Sequence, residues 1–379
     1  MDRFLPDDGG SINWMVNTYS RWSTEEVIFV VPECENSETV DLSLPFKVIR
    51  VPMGFTSWDP MLPQTFFFYV RLALQVQKIC RHYHVRQIHC AKVLPEGLVA
   101  WWIHLIKGIS YILYAHGEEI LLTQTSRKFS WLLPKLYNGA SALISNSRNT
   151  RSLLHRIGVT LTTIHVIHPA VDATAFGAER TNPNWIRKQY DLENSQVLLT
   201  VGRLQRRKGQ DMVIRALPKV QEQYPHVKYM IVGEGDDLAY LQSLAEEEGV
   251  GRSVVFAGHV GKEDLSGFYA ACDIFVMPNR QIGADIEGFG MVFLEASASG
   301  KPVIGGKSGG TDEAILEGIT GYRVNGDNAD DIAETILRLL SCPEDGKRMG
   351  TEGRRWVCHE CSWDAVVHQT HHVVSSLHG

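Results

Sequence analysis

The stretch Glu287-Gly-Phe-Gly-Met-Val-Phe-Leu-Glu295 lies between an apolar run, 274–278, that reads as a buried strand and a segment, 291–299, that is helical in composition. Gly288 and Gly290 therefore fall in a strand-to-helix turn. Glycine there lets the backbone approach a ligand, and the first N–H groups of the helix, around Gly290, Met291 and Val292, form an anion site. Two carboxylates eight residues apart frame the turn, Glu287 in the loop and Glu295 more than a turn inside the helix. Neither would hold phosphate, but each accepts hydrogen bonds from sugar or ribose hydroxyls. The stretch reads as a site for a phosphorylated sugar. The plain alternative, a solvated Glu287 and an ordinary helical Glu295, stays open on this stretch alone.

A second strand candidate, 197–201, runs into Gly202-Arg-Leu-Gln-Arg-Arg-Lys-Gly209 and then into the helical pattern Met212, Ile214, Leu217, Val220. This loop is cationic and supplies what a diphosphate needs. Arginine can bind bidentately, and lysine adds a mobile point charge. Arg203 and Lys208 are the diphosphate candidates, whereas Arg206 and Arg207 are expected to be solvated.

Taken together, Gly-Arg-Leu-x-x-x-Lys-Gly, Val232-Gly-Glu-Gly235, Phe256-x-Gly258-x-Val260 and the Glu-x7-Glu segment with Gly-Lys-Pro-Val behind it resemble the family-four retaining glycosyltransferases of the GT-B fold. The run Asp285 to Ala296, followed by Gly305-Gly-Lys-Ser-Gly-Gly310, is most similar to the branch containing phosphatidylinositol-mannoside mannosyltransferases. The resemblance implies two doubly wound Rossmann-like domains facing across a cleft. It also implies that a last helix, from about Trp363, crosses back to the first domain. Further site residues follow from it: His116, which ends a strand in His-Gly and would contact the transferred sugar; Gly9 and Gly10 of Asp7-Asp-Gly-Gly-Ser-Ile-Asn13, whose backbone would approach the diphosphate; and Val260. Asn146-Ser147 resembles another family segment, although a helix N-cap explains Ser147 equally well. Family members carry a strand immediately before the glycine loop. Met1-Asp-Arg-Phe4 leaves too little sequence for one, so the natural start is expected upstream, or the chain is incomplete.

Composition agrees with this class. At 379 residues, 44% apolar and 21% charged, the chain can bury two cores of ordinary domain size. It contains no apolar run long enough to span a bilayer and no signal peptide in its acidic, polar opening. Seven scattered cysteines suggest no disulfide framework and a reducing cytoplasm. Cys358-x-x-Cys361 lacks the second pair that a tetrahedral zinc set needs.

Strand and helix patterns alternate, which argues for parallel α/β sheets with helices on both faces. Strands are expected at 27–31, 46–51, 87–90, 111–114, 142–145 and 164–167, then at 197–201, 228–232, 254–257, 274–277, 302–304 and 321–324. The polar stretch 169–194 reads as the seam, with a short helix at 185–190. This gives an acceptor-side domain, 1–170, completed by the helix 363–379, and a nucleotide-sugar domain, 171–362. In such sheets ligands sit beyond the carboxyl ends of the strands, where all these motifs fall.

The expected activity is transfer of a hexose, of mannose or glucose type, from a nucleotide-diphosphate sugar to a hydroxyl of a lipid-linked or saccharide acceptor. Arg203 and Lys208 would hold the diphosphate and Glu295 the ribose. Glu287 and the backbone of Phe289, Gly290 and Met291 would hold the sugar. Fixed cations stabilise the charge that grows on the leaving group, so neither a metal nor a further cofactor is expected beyond the nucleotide-sugar co-substrate. By resemblance, retention follows a front-face path in which the departing phosphate oxygen helps deprotonate the acceptor. Although the chain carries a formal charge of −6, the segment from Met61 to Val171 holds twelve Lys or Arg against three acidic residues. With Phe66 to Tyr69 and Trp101-Trp102, that surplus suggests peripheral contact with an anionic leaflet, placing the protein in the cytoplasm at the inner face of the plasma membrane. The alternative is that these aromatics fill the core. Rival functions are a non-catalytic nucleotide-sugar-binding partner subunit and a nucleotide-sugar epimerase on the same fold. A dehydrogenase is disfavoured because no Gly-x-Gly-x-x-Gly follows a strand. No nucleic-acid partner is indicated.

Overall fold

The structure is a computed structural model that describes every residue except 2, 8, 24–25, 36, 54–58, 60–61, 122–125, 178–182 and 378–379. Asp8 of the glycine loop and part of the expected seam therefore lie outside the described residues. Two compact units emerge, Met1–Pro169 with Trp363–Gly379, and Ala170–Ser362.

The second unit is a six-stranded parallel sheet. Numbering all strands in chain order, it holds β7 (Val197–Val201), β8 (Lys228–Val232), β9 (Val254–Gly258), β10 (Ile274–Met277), β11 (Val303–Gly306) and β12 (Gly321–Val324). All residues of β7 and β10 are buried, as expected of interior parallel strands covered on both faces, whose sequences read as unbroken apolar runs. The helix Gln210–Gln221 covers one face and buries Val213, Ile214, Leu217 and Val220. β11 starts one residue later than expected, because Pro302 has no N–H to give to a ladder.

The strand order is β12-β11-β10-β7-β8-β9. Connections run one way from β7 through β8 to β9, and the other way from β10 through β11 to β12. The reversal falls between β7 and β10, and in open parallel sheets the crevice beyond the strand ends at such a switch point is where ligands bind.

The first unit holds β1 (Ile28–Pro32), β2 (Lys47–Val51), β3 (Gln87–Cys90), β4 (Ser110–Ala115), β5 (Ala142–Ser145) and β6 (Ile164–Val166). These do not form one sheet. β1 and β2 pair with each other, and β3-β4-β5-β6 form a separate four-stranded sheet, all pairings parallel. Within this unit the helix Trp363–Ser376 packs on the helix Gly10–Ser20.

Candidate active site

β7 leads through Gly202 and Arg203 into a single 3-10 turn, Arg206–Lys208, ahead of the helix Gln210–Gln221. Gly209 closes that turn at φ 80°, a left-handed conformation that glycine adopts without a Cβ penalty. A Cβ at this position would also collide with the Pro278 carbonyl oxygen beyond β10. The cationic turn is thus pressed against the loop that follows β10. The Arg280 backbone N–H donates to the Arg207 carbonyl at 2.8 Å. The buried Arg280 guanidinium donates to both oxygens of Asp211, at 3.0 and 2.7 Å, and so fixes the start of the next helix.

On the β10 side, Glu287 turns its carboxylate inward. Its Oε2 accepts hydrogen bonds from Lys208 Nζ at 2.5 Å and from Arg207 Nη1 at 2.6 Å. Asp285 forms an ion pair with Arg207 at 2.7 Å. The Glu287 backbone is held from behind by the glycine run: Gly310 N–H donates to the Glu287 carbonyl at 3.1 Å. Gly309, at φ 72°, lies so close that a Cβ would collide with that same oxygen. Asn279 laces the run to the end of β10, accepting from Gly306 N–H and donating to the Ser308 carbonyl, both at 3.0 Å.

Burial alone would raise the Glu287 pKa, but the charges and hydrogen bonds of Lys208 and Arg207 outweigh it and hold the carboxyl down at about 2. Burial lowers Lys208, and Arg207 and Arg203 push the same way against the attraction of Glu287. The carboxylate's direction governs the cluster, since two cations around one anion keep it ionised.

Glu295 sits inside the helix Met291–Ala298, which Gly290 caps. Tyr269 Oη donates to Glu295 Oε2 at 2.6 Å, and burial raises the Glu295 pKa. Phe289 is buried in the apolar core, so its backbone is the part left for a ligand. Val260 packs at the edge of that core beyond β9.

The first unit carries the remaining candidates. Gly9 caps the helix Gly10–Ser20 in an extended conformation, its carbonyl accepting from Asn13 N–H at 2.9 Å. His116 follows β4 and donates from Nε2 to the Ala91 carbonyl at 2.8 Å, which requires the proton on that nitrogen. Trp14 meets the imidazole edge-on at 5.4 Å and ties it to the helix that Gly9 caps. Asn146 donates to the His116 carbonyl at 3.0 Å, and Ser147 caps the helix Arg148–Arg156.

The structure brings Lys208 and Glu287 together in the second unit, with Arg203 close enough to depress Lys208. Gly9, Gly10 and His116 belong to the other unit. Arg207 was expected in solvent and is not there: the 3-10 turn aims it at Asp285 and Glu287, leaving its side chain 11% exposed. Arg206 is half exposed and stacks on Tyr240 at 3.3 Å. Asp285, two residues before Glu287, was the unused signal for Arg207's place. Among the described residues no three His, Cys, Asp or Glu side chains are arranged to hold a metal ion.

Residues 17–175 match the model for Glycosyltransferase Family 4, and residues 182–356 match that for Glycosyl transferases group 1. The chain is 30% identical to a GDP-mannose-dependent alpha-(1-6)-phosphatidylinositol monomannoside mannosyltransferase of Mycolicibacterium smegmatis, over 90% of this chain and 87% of that protein. The chain belongs to the family-four glycosyltransferases. A second relative of this glycosyltransferase, a GDP-mannose-dependent monoacylated alpha-(1-6)-phosphatidylinositol monomannoside mannosyltransferase of Corynebacterium glutamicum, is 29% identical over 98% of this chain and 96% of that one. The crystal structure of Anabaena Alr3699/HepE in complex with UDP and glucose superposes with a TM-score of 0.83 at 18% identity, over 99% of this chain and 98% of that one. The fold of the glycosyltransferase is GT-B.

Proposed function

We propose that this glycosyltransferase moves a mannose-type hexose from a nucleoside-diphosphate donor, GDP-mannose first among them, to a hydroxyl of a lipid-linked acceptor of the phosphatidylinositol-mannoside kind, with retention. The observation that carries the reading is the buried Lys208–Glu287–Arg207 cluster at the switch point between β7 and β10. The mannosyltransferase relatives supply the direction for sugar and acceptor.

In this reading Arg203 and Lys208 take the diphosphate, helped by the N–H groups at the start of the helix Met291–Ala298. Glu295 takes the ribose, and Glu287 takes the hexose hydroxyls. Gly9, Gly10 and His116 are the candidates that the first unit offers for the same reaction. The bond from the sugar's anomeric carbon to the diphosphate oxygen breaks while the bond to the acceptor oxygen forms on the same face. The acceptor proton passes to the departing phosphate oxygen. Fixed cations favour this step because charge accumulates on the leaving group as the bond breaks. The nucleotide sugar is the co-substrate, and the reaction as written uses no metal or other cofactor.

Peripheral membrane contact at the cytoplasmic face belongs to the same reading. The helix Pro63–His82 leaves Phe67 71% exposed, and the helix Leu98–Lys107 leaves Ile106 70% exposed beside Lys107. Apolar side chains bordered by cations suit an anionic leaflet. No helix among the described residues is long and apolar enough to cross a membrane.

A donor panel tests the proposal. Nucleotide release is measured from GDP-mannose, UDP-glucose and UDP-N-acetylglucosamine, with and without phosphatidylinositol mannosides. GDP release that requires both GDP-mannose and lipid is expected. Isomerisation of a donor without acceptor, or tight binding with no turnover, would replace it with the epimerase or the partner-subunit reading.

A further inference from the structure

Glu287 engages the two cations through one oxygen only. Lys208 Nζ and Arg207 Nη1 both donate to Oε2, at 2.5 and 2.6 Å, so Oε1 takes neither bond. The two cations are held differently. Among the described residues Lys208 Nζ has Glu287 as its one hydrogen-bond partner, whereas Arg207 is braced at three points. Its carbonyl accepts from the Arg280 N–H at 2.8 Å, its Nε pairs with Asp285 at 2.7 Å, and its Nη1 reaches Glu287. Asp285 is fixed in turn. It exchanges both backbone hydrogen bonds with Ile282, at 2.9 and 3.0 Å, around a turn in which Gly283 takes φ 58°.

We propose that Arg207 is a positioning residue for the sugar end of the site: braced by Asp285, it holds the Glu287 carboxylate so that Oε1 meets the hexose hydroxyls, and leaves Lys208 to the diphosphate. This role rests on the assignment of Glu287 to the hexose made above. A guanidinium is a rigid planar fork that engages two carboxylates through different N–H groups at once, whereas an ammonium is a point charge on a flexible stem. The ammonium's three donors suit the other task, because Lys208 can turn one N–H to a phosphate oxygen and keep Glu287 with another. When Lys208 turns to the donor, Glu287 stays in place on Arg207. A misplacement of about 1 Å at a reacting centre costs roughly 10²-fold in rate, and this brace acts against it.

The test compares Arg207→Gln and Asp285→Asn with the wild-type chain, and Arg207→Gln again in a Glu287→Ala background. Transfer from GDP-mannose to phosphatidylinositol mannosides gives kcat and KM, and calorimetry gives the affinity for free GDP. Arg207→Gln should lower kcat by roughly tenfold or more, with GDP affinity and donor KM unchanged within about threefold. In the Glu287→Ala background it should cost nothing further, because both changes act through one carboxylate. Loss of GDP affinity by about tenfold would make Arg207 a diphosphate ligand and overturn the proposal. Full additivity with Glu287→Ala overturns it as well. Asp285→Asn, at a partly exposed position, keeps the shape and weakens only the brace, so it carries the test if Arg207→Gln does not fold. It should lower kcat by about threefold or more at unchanged GDP affinity, and a wild-type kcat overturns the proposal. A wild-type chain inactive with every donor of the panel removes the proposed function and this role with it, whereas an active wild type beside an equally active Arg207→Gln removes this role alone.

Discussion

Lys208 Nζ lies 2.5 Å from Glu287 Oε2, which joins the cationic loop after β7 to the acidic loop after β10 across the switch point of the sheet. The pair is charged, buried and ordered, and the turn that carries Lys208 is held by Arg280, Asp211 and Gly209. In the proposed reading a diphosphate would meet these cations already in position. Replacing Lys208 or Arg203 by alanine should each lower turnover by roughly 10²-fold or more, the scale of losing one donor from a preorganised site. Arg206→Ala, at a half-exposed position, should change it little. Steady-state nucleotide release measures all three, and near-wild-type rates for both Lys208→Ala and Arg203→Ala would remove the diphosphate assignment.

Acid should act on the second unit through Glu287. Its folded pKa, about 2, lies below the usual carboxylate value. Its contribution is therefore complete above about pH 4.3 and is lost as the pH falls towards the folded value. The amount is on the order of 3 kcal/mol. Glu287→Gln should be less stable than the parent at pH 7, with two buried cations short of their anion, yet lose less further stability on acidification. Denaturant melts at neutral and acid pH compare the two, and parallel acid curves would contradict the cluster.

The two glutamates should divide the donor between them. In the proposed reading Glu295, hydrogen-bonded to Tyr269 inside its helix, takes the nucleotide, and Glu287 takes the sugar. Glu295→Ala should weaken binding of free nucleoside diphosphate by roughly tenfold, the scale of one lost charge-assisted hydrogen bond. Glu287→Ala should act mainly on the rate of transfer. Calorimetric titration of both variants decides this, and equal losses of affinity would argue against separate roles.

Gly309 should be intolerant of substitution although it carries no functional group. Its φ of 72° and its closeness to the Glu287 carbonyl leave no room for a methyl group. Gly309→Ala should destabilise the second unit by roughly 1–3 kcal/mol and lower turnover by displacing Glu287. The open Gly300 position, where a Cβ meets nothing, serves as the control at similar φ. Equal effects at both sites would show that backbone strain alone, and not contact with Glu287, is responsible.

Much of the second unit was legible because its strands are continuous apolar runs that end in glycine-punctuated loops. β7, β8, β10 and β12 fall at the expected residues. Lys208 and Glu287 both stood out in the sequence as candidate ligand groups, but not as partners of each other. Their contact depends on strand order, which places β10 beside β7 although 72 residues separate Val201 from Ile274. Arg207 was misread for the same reason: nothing local distinguishes it from Arg206, and only the turn geometry sends one to Asp285 and the other onto Tyr240. The role of Gly305 to Gly310 was hidden because close backbone approach leaves no side-chain pattern. The division of the first unit into two sheets is likewise a matter of which edges meet, not of which residues form strands.

The most direct measurement follows radiolabelled mannose from GDP-mannose into phosphatidylinositol-mannoside lipid with the wild-type chain and Lys208→Ala, and reads the anomeric configuration of the product by NMR. The account predicts an α-linked labelled lipid, formed at least about 10²-fold more slowly by the variant. A β-linked product, label released only as free mannose, or equal rates for the two chains would contradict it.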